Sequence, residues 1–265
     1  MPELPEVETE RGRLAARLEG RRIRSVRIED ERLTRPEDPA WIAARLEGEQ
    51  VTGVERRGKY LLLRLESGAV LLVHLRMTGG FRYEPATHER ALLELDDGTR
   101  IAYRDLRRFG TWLLFEEDEA EEHLAVRLGP EPLGRRFTVQ FLAARLAGRR
   151  APVKAAILDQ RTVAGLGNIY ADEALWHAGI HPLRPAGELS GDEVVALREG
   201  VRRALRRGVR RQGADLGNGA YAGGRMQHEF RVYGRAGEPC DRCGTPIEKT
   251  RAGGRGTWFC PGCQP

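Results

Sequence analysis

The most restrictive feature of the sequence is a set of four cysteines in the last 26 residues of a 265-residue chain. They form two Cys-x2-Cys pairs sixteen residues apart, Cys240/Cys243 and Cys260/Cys263. Each pair can place two thiolates on one side of a tight turn, and two pairs complete a tetrahedral zinc site. Because protein fills all four positions, we expect one structural Zn²⁺. The intervening residues predict a hairpin with strands near 246–250 and 256–259 and a turn at 252–254.

The basic charge is concentrated near the C-terminus. The net charge is +5, and residues 201–265 carry 13 Lys and Arg against five Asp and Glu. This surplus favours a polyanionic partner. No apolar run approaches the ~18 residues of a membrane-spanning helix, and the acidic N-terminus lacks the apolar segment of a signal peptide. We therefore expect a cytoplasmic protein with no membrane partner.

The pattern of predicted elements changes near residues 130–150. Residues 5–19 predict an amphipathic helix whose Val7, Leu14 and Leu18 face a core. Short strand-like runs follow, interrupted by a helix at 39–47, and they predict an antiparallel sandwich or barrel. Glycine-bearing turns separate the runs, at Ser67-Gly68, Gly79-Gly80 and Asp97-Gly98. Beyond the change, helices are predicted at 138–146, 152–160, 169–178 and 190–211.

These patterns divide the chain into three parts and predict an α+β protein. We expect an N-terminal β-sandwich domain at 1–132 and a helical domain at 133–228. The five glycines of residues 212–228 predict a flexible loop within the helical domain. Residues 229–265 are expected to form a small, separate zinc module.

The N-terminus carries a possible nucleophile. Removal of Met1 would expose the secondary amine of Pro2, which is partly neutral near pH 7 if its pKa is close to the ordinary α-amino value of about 8. Glu3 is adjacent, and Glu6 lies one helical turn further on. Acidic residues are also favoured at a helix N-terminus for purely structural reasons. An amine beside a carboxyl group nevertheless suits imine formation with acid–base assistance.

Three further features mark candidate binding residues. Only three of the 44 cations are lysines, namely Lys59, Lys154 and Lys249, which indicates that a compact ammonium group is needed at these positions. The glycine-rich turn before Asn168 can approach a ligand closely, and Asn168 can cap the following helix. Arg251 and Arg255 flank the predicted zinc hairpin turn, where they suit either phosphate binding or a solvated surface.

Six segments, in this order, resemble the bacterial formamidopyrimidine-DNA glycosylase family, which is related to endonuclease VIII. The resemblance runs from end to end and is weakest at 213–226. The segments are Met1-Pro-Glu-Leu-Pro-Glu-Val-Glu-Thr9, Arg56-Arg-Gly-Lys-Tyr60, His74-Leu-Arg-Met-Thr-Gly79, Asp105-Leu-Arg-Arg-Phe-Gly110, Val163-Ala-Gly-Leu-Gly-Asn-Ile-Tyr170 and the four-cysteine module.

The resemblance implies a β-sandwich with a catalytic N-terminal helix, a helix-two-turns-helix domain and a zinc finger. In the family, the proline that matches Pro2 attacks the sugar C1′ carbon and displaces the damaged base, and β- and δ-elimination follow. Glu3 matches the acid that assists base loss, and Glu6 matches an acid that orders the site. Lys59 matches a lysine at the lesion, and Arg255 matches the zinc-finger arginine linked to δ-elimination.

The resemblance also implies contacts with duplex DNA containing damaged bases or abasic sites. Met77, Arg107 and Phe109 match side chains that enter the duplex when a nucleotide is flipped out. Extruding a base costs a few kcal/mol, which such wedges offset. Lys154 and Asn168 match phosphate contacts. No small-molecule cofactor is implied, and we expect a monomer associated with the nucleoid.

One segment departs from the family pattern and leaves the base preference open. Residues 213–218 lack the arginine of the family loop that closes over a flipped oxidised purine, and Arg225 or Tyr221 are possible substitutes. The first hypothesis is a glycosylase and AP lyase for oxidised purines, namely 8-oxoguanine and formamidopyrimidines. The alternatives are an endonuclease VIII-like enzyme for oxidised pyrimidines and a non-catalytic zinc-finger DNA-binding protein.

Overall fold

The computed structural model describes residues 1–215 and 223–265, and the chain divides into two compact units. Unit 1 comprises Met1–Val126 and Ala214–Gly224. Unit 2 comprises Arg127–Gly213 and Arg225–Pro265, so it holds both the helices and the zinc module. No helix in the described ranges has the length and apolar character needed to cross a membrane.

The described part of unit 1 contains two four-stranded antiparallel sheets, as the strand pattern predicted. The elements are α1 (Leu4–Leu18), β1 (Ile23–Ile28), α2 (Pro39–Leu46), β2 (Val51–Arg57), β3 (Tyr60–Leu65), β4 (Val70–His74), β5 (Gly79–Arg82), β6 (Glu89–Leu95), β7 (Arg100–Asp105), β8 (Thr111–Phe115) and α3 (Glu117–Ala125). The strand orders are β1-β6-β7-β5 and β2-β3-β4-β8, and apolar residues from both sheets and from α1 form one buried core.

Helix α1 begins and packs as its sequence predicts. Pro5 lies in the first turn, where its missing N–H costs nothing. Val7, Leu14 and Leu18 are fully buried, which confirms the predicted apolar face. This packing fixes the helix that carries the N-terminal acids against the core of unit 1.

The prediction of a turn at Gly79-Gly80 is wrong, because both glycines belong to β5. Gly79 lies opposite Asp105 on β7. A Cβ atom at Gly79 would lie 2.1 Å from the hydroxyl oxygen of Tyr103. The glycine is therefore needed for close packing of the sheet against a buried tyrosine rather than for a turn. Helix α3 was also not predicted.

Unit 2 contains four α-helices and a two-stranded hairpin, close to their predicted positions. Gly200 allows the helices Asn168–Ala178 and Gly191–Arg210 to pack closely, since a Cβ atom there would lie 2.4 Å from the carbonyl oxygen of Ala174. The elements are α4 (Val139–Leu146), α5 (Val153–Leu158), α6 (Asn168–Ala178), α7 (Gly191–Arg210), β9 (Glu248–Ala252) and β10 (Arg255–Phe259).

The zinc module packs against α6 of unit 2. Trp176 of α6 shares a buried cluster with Val232, Ile247 and two of the cysteines. The indole Nε1 of Trp176 donates a hydrogen bond to the sulfur of Cys240 at 3.4 Å. The module is therefore continuous with the helical core of unit 2.

Candidate active site and nucleic-acid interface

The two acids at the N-terminus form a reciprocal cap on α1. Glu3 is the N-cap residue, and its backbone N–H donates to Oε2 of Glu6 at 2.8 Å. Both side chains are only 3 % exposed. Glu6 uses its other oxygen, Oε1, to accept the backbone N–H of Ala214 at 2.7 Å. The cap therefore orders the start of α1 and joins it to the segment that begins at Ala214.

The chain terminus lies in an environment that favours a neutral amine. Pro2 is buried, and Met1 precedes it, so the Pro2 nitrogen is an amide in this chain. Burial lowers the pKa of the Met1 amino group, and Lys59 and Arg107 lower this pKa further, while Glu3 and Glu6 oppose the effect. A lowered pKa increases the neutral, nucleophilic fraction of an amine.

Lys59 lies in the turn between β2 and β3 and is 6 % exposed. Its charge acts on both the Met1 amino group and His74. The structure thus brings together the N-terminus and three of the predicted catalytic residues, Glu3, Glu6 and Lys59.

His74, at the end of β4, is a candidate that the sequence analysis missed. Burial, Arg76 and Lys59 lower its pKa to about 3, so the imidazole is neutral near pH 7. Its Nδ1 accepts the backbone N–H of Arg76 at 3.0 Å, which leaves the proton on Nε2. His74 begins the segment His74–Gly79, from which only Met77 was taken as a site residue. The sequence signal that could have identified His74 is a histidine at the end of a strand of buried aliphatic residues.

The three predicted wedge side chains lie on two loops of unit 1. Met77 follows β4 and is partly buried, whereas Phe109, between β7 and β8, is 52 % exposed. The Arg107 guanidinium lies 4.8 Å from the centre of the Phe109 ring. Between them, Arg108 adopts a left-handed backbone with φ 57° and makes a bidentate ion pair with Asp30 at 2.6 and 2.7 Å. The loop is thus held in one conformation before any partner binds.

Lys154 does not occupy the exposed position that a phosphate contact requires. Its side chain is fully buried, and its ammonium lies 2.8 Å from Oδ1 of Asp172. The ammonium also donates to the carbonyl of Gly256 and the hydroxyl of Thr257, both at 2.9 Å. Lys154 therefore anchors β10 to the helices, and the expectation of a phosphate contact is corrected.

Asn168 is also placed differently from its prediction as a helix cap. Gly167 is the N-cap residue, and Asn168 is the first residue of α6. Its Nδ2 donates to the carbonyl of Gly256 at 3.0 Å. This bond holds the same strand that Lys154 anchors.

Arg255 is exposed at the start of β10, directly after the Gly253-Gly254 turn. Its neighbours Gly256 and Thr257 are held by Lys154, and the Trp258 N–H donates to Oδ2 of Asp172 at 3.1 Å. The structure therefore presents Arg255 from a rigid strand.

The four cysteines fit a single zinc ion. Their sulfur atoms lie within 4.8 Å of one another, with close pairs between 3.4 and 3.9 Å. A tetrahedral zinc site with Zn–S bonds of about 2.3 Å places sulfurs about 3.8 Å apart. The residues thus form one structural zinc site, with no position left for a substrate.

The loop at 212–228 is described only at its ends. Arg225 donates its backbone N–H to the carbonyl of Arg211 at 2.9 Å. Tyr221 lies outside the described residues.

Comparisons with known proteins cover the whole chain. Family models match residues 1–112 (Formamidopyrimidine-DNA glycosylase N-terminal domain), 128–218 (Formamidopyrimidine-DNA glycosylase H2TH domain) and 237–265 (zinc finger found in FPG and IleRS). A formamidopyrimidine-DNA glycosylase of Symbiobacterium thermophilum is 50% identical over 100% of this chain and 90% of its own length. The Deinococcus radiodurans protein of that name is 45% identical, covering 100% and 98%.

Solved structures of proteins with the same family name are also similar to this chain. The MutM (Fpg) protein of Thermus thermophilus has a TM-score of 0.90 and 43% identity, covering 99% of this chain and 98% of its own. The Lactococcus lactis Fpg protein, in complex with DNA containing an abasic site, has a TM-score of 0.92 and 35% identity, covering 99% of each chain.

Proposed function

Because the chain belongs to the formamidopyrimidine-DNA glycosylase family, and is therefore a DNA glycosylase of base excision repair, we propose that it excises oxidised purines from duplex DNA and cleaves the resulting abasic site. The observation that carries this proposal is the buried Pro2 at an N-terminus whose amino group interacts electrostatically with Glu3 and Lys59. Relatives named formamidopyrimidine-DNA glycosylase support the purine preference, as does a match to a Lactococcus lactis Fpg structure with DNA that contains Fapy-dG.

The proposed reaction begins after Met1 is removed. The Pro2 nitrogen attacks the sugar C1′ carbon, and the bond from C1′ to the base breaks, so that the base leaves with the electron pair. The proton that the amine loses balances the one that the departing base takes up, and the imine then forms as the bond from C1′ to the ring oxygen opens. Glu3 supplies a proton to the opening sugar ring, and Glu6 holds Glu3 through the cap. Lys59 stabilises the phosphate charge near the reacting sugar. Loss of the phosphates by β- and δ-elimination then leaves a one-nucleotide gap.

The remaining site residues bind and deform the duplex. Met77, Arg107 and Phe109 occupy the space left by the flipped nucleotide. Arg255, presented by the zinc hairpin, and the turn at Asn168 contact lesion phosphates. An exposed, pre-ordered Phe109 suits this role better than a role in the core.

Borohydride trapping tests the proposed nucleophile. With duplex DNA containing an abasic site, the reduced imine should form a covalent adduct at Pro2, and Pro2→Gly should strongly reduce its yield. Thr52→Val, at an exposed position on β2, serves as a control that retains trapping. An adduct that maps to Lys59 would overturn the assignment.

Lesion preference requires a separate measurement, because residues 213–218 depart from the family pattern. Duplexes carrying single oxidised purines should be incised faster than those carrying single oxidised pyrimidines. The reverse order would favour the endonuclease VIII-like alternative while leaving the imine chemistry intact.

A further inference from the structure

The two loops that carry the wedge side chains are joined by one buried carboxylate. Loop A comprises residues 75–78 and holds Met77, and loop B comprises residues 106–110 and holds Arg107 and Phe109. Asp105, the last residue of β7, is 1 % exposed and lies where the two loops meet.

Asp105 accepts hydrogen bonds from both loops. The hydroxyl of Thr78, in loop A, donates to Oδ1 of Asp105. In loop B, the backbone N–H of Arg107 lies 3.2 Å from the same oxygen and 2.9 Å from the Thr78 hydroxyl oxygen. The Gly110 N–H donates to Oδ2 of Asp105 at 2.7 Å. Thr78 therefore donates to Asp105 and accepts from Arg107, which closes a ring of hydrogen bonds across both loops.

The surroundings of this ring leave little room for another arrangement. The hydroxyl oxygen of Tyr103 would lie 1.9 Å from a Cβ atom at Gly110 and 2.1 Å from one at Gly79. Tyr103 is fully buried. The bond from Gly110 to Asp105 is buried, so its loss is not readily replaced by a bond to solvent, whereas the bond from Arg107 to Thr78 lies at the surface.

We infer that Asp105 and Thr78 act as a positioning pair, which holds loops A and B in one fixed register so that Met77, Arg107 and Phe109 enter the duplex together. The inference rests on the proposed function of these side chains. Neither Asp105 nor Thr78 contacts the reacting atoms in this role. Extruding a base costs unstacking energy that the wedge side chains offset, whereas a preformed abasic site has no base to extrude.

The chemistry of the ring requires a carboxylate at position 105. Each oxygen of Asp105 faces at least one donor, and the Thr78 oxygen already accepts from Arg107. An amide in place of the carboxylate would direct its NH₂ group at a donor in either orientation. Asp105→Asn should therefore separate the loops although it preserves volume.

A series at position 78 tests the inference with less risk to folding. Thr78→Val removes the hydroxyl and keeps the shape, while Thr78→Ser keeps the hydroxyl. Thr52→Val makes the same change at an exposed threonine of β2. Excision of an oxidised purine, cleavage of a preformed abasic site, and unstacking of a 2-aminopurine beside the lesion are measured for each full-length variant.

We expect Thr78→Val to slow excision and 2-aminopurine unstacking by about 10- to 100-fold, as small misplacements of positioning groups do. Abasic-site cleavage should change about threefold or less, and Thr78→Ser and Thr52→Val should behave as wild type. In Asp105→Asn, excision should fall further still, while cleavage of abasic sites should again change much less.

Two results would overturn the inference. One is equal excision by Thr78→Val and wild type. The other is an equal fall in both activities without slower unstacking, which would mean a general structural role. A wild-type protein that neither excises a base nor cleaves abasic DNA would instead contradict the proposed function, and the inference with it.

Discussion

At the scale of residues, three buried carboxylates of unit 1 accept hydrogen bonds from backbone N–H groups. Glu6 accepts from Glu3 and Ala214, and Asp105 accepts from Arg107 and Gly110. Glu3 completes the cap at the start of α1. These hydrogen bonds order the backbone of the site. The sequence shows that acids are present at these positions but not which N–H groups they meet.

Phe109→Ala should cost little stability, below about 0.5 kcal/mol, because the ring is already 52 % exposed. Phe81→Ala is the matched comparison, since Phe81 is 2 % exposed and its loss should cost about 3–5 kcal/mol. The rate of excision by Phe109→Ala should nevertheless fall about tenfold or more, because alanine cannot replace the stacking that is lost when the base is extruded. Urea unfolding and excision assays measure both; a large stability loss at Phe109 would place it in the core.

His74 should make stability depend on pH. Its pKa is about 3 in the folded protein and about 6.5 when unfolded, so the unfolded chain binds more protons between these values. Stability therefore falls as the pH drops below about 6.5, by up to ~1.4 kcal/mol per pH unit from this group. Denaturant titrations measure the free energy of unfolding at pH 7.5 and at pH 5. The decrease in this free energy between the two pH values should be about 2 kcal/mol smaller in His74→Gln than in wild type.

The exposed His88 supplies the control for this measurement. His88→Gln should retain the wild-type loss of stability between the two pH values. If His74→Gln also retained it, His74 would not be the buried neutral group that the structure describes.

At the scale of elements, the regular pattern of apolar residues accounts for most helices and strands, and close packing accounts for the errors. β5 begins with Gly79-Gly80, and only the position of Tyr103 explains why glycine is needed there. Lys154 was expected at a phosphate because it matches a phosphate contact of the family. Its actual partner, Asp172, lies eighteen residues away on another helix. Such pairings depend on tertiary structure, which no local pattern encodes.

Lys154→Met should destabilise unit 2 by about 3–5 kcal/mol, because it leaves the buried Asp172 carboxylate without its cation. Lys249→Met makes the same change at an exposed lysine and should cost under about 0.5 kcal/mol. Thermal unfolding compares the two variants. The double variant Lys154→Met/Asp172→Leu should recover part of the loss; no recovery would argue against an ion-pair role.

Zinc removal should act first on the hairpin of unit 2. The cysteines share a buried cluster with Trp176 of α6, so chelation should change tryptophan fluorescence and weaken DNA binding. The strands of unit 1 contain no zinc ligand and should keep their circular dichroism. Adding zinc back should restore binding. Equal DNA affinity of the chelated and zinc-loaded proteins would show that the hairpin is not a DNA contact.

At the scale of the whole molecule, the two units carry opposite net charges. Unit 1 has 21 Lys and Arg against 27 Asp and Glu, while unit 2 has 23 against 12. The electrostatic attraction to a polyanion therefore resides in unit 2, and the proposed chemistry resides in an acidic unit. Affinity and catalysis should respond separately to salt and to mutation.

The logarithm of the DNA-binding constant should fall linearly with the logarithm of the salt concentration. Arg255→Gln should reduce the magnitude of this slope by about one. This is the change expected when one phosphate contact is lost. Arg100→Gln makes the same substitution at an exposed arginine of unit 1 and should leave the slope unchanged. Fluorescence anisotropy at several salt concentrations measures the slopes; identical slopes would remove Arg255 from the phosphate contacts.

The bond between Glu6 and Ala214 bears on how the protein is made on the ribosome. A nascent chain that has reached Val126 has all the strands of unit 1 but still lacks the N–H that Glu6 accepts. Roughly 90 further residues must be translated, which takes several seconds at ~5–20 residues per second. The cap of the first helix to emerge is thus completed only after about four-fifths of the chain has been synthesised.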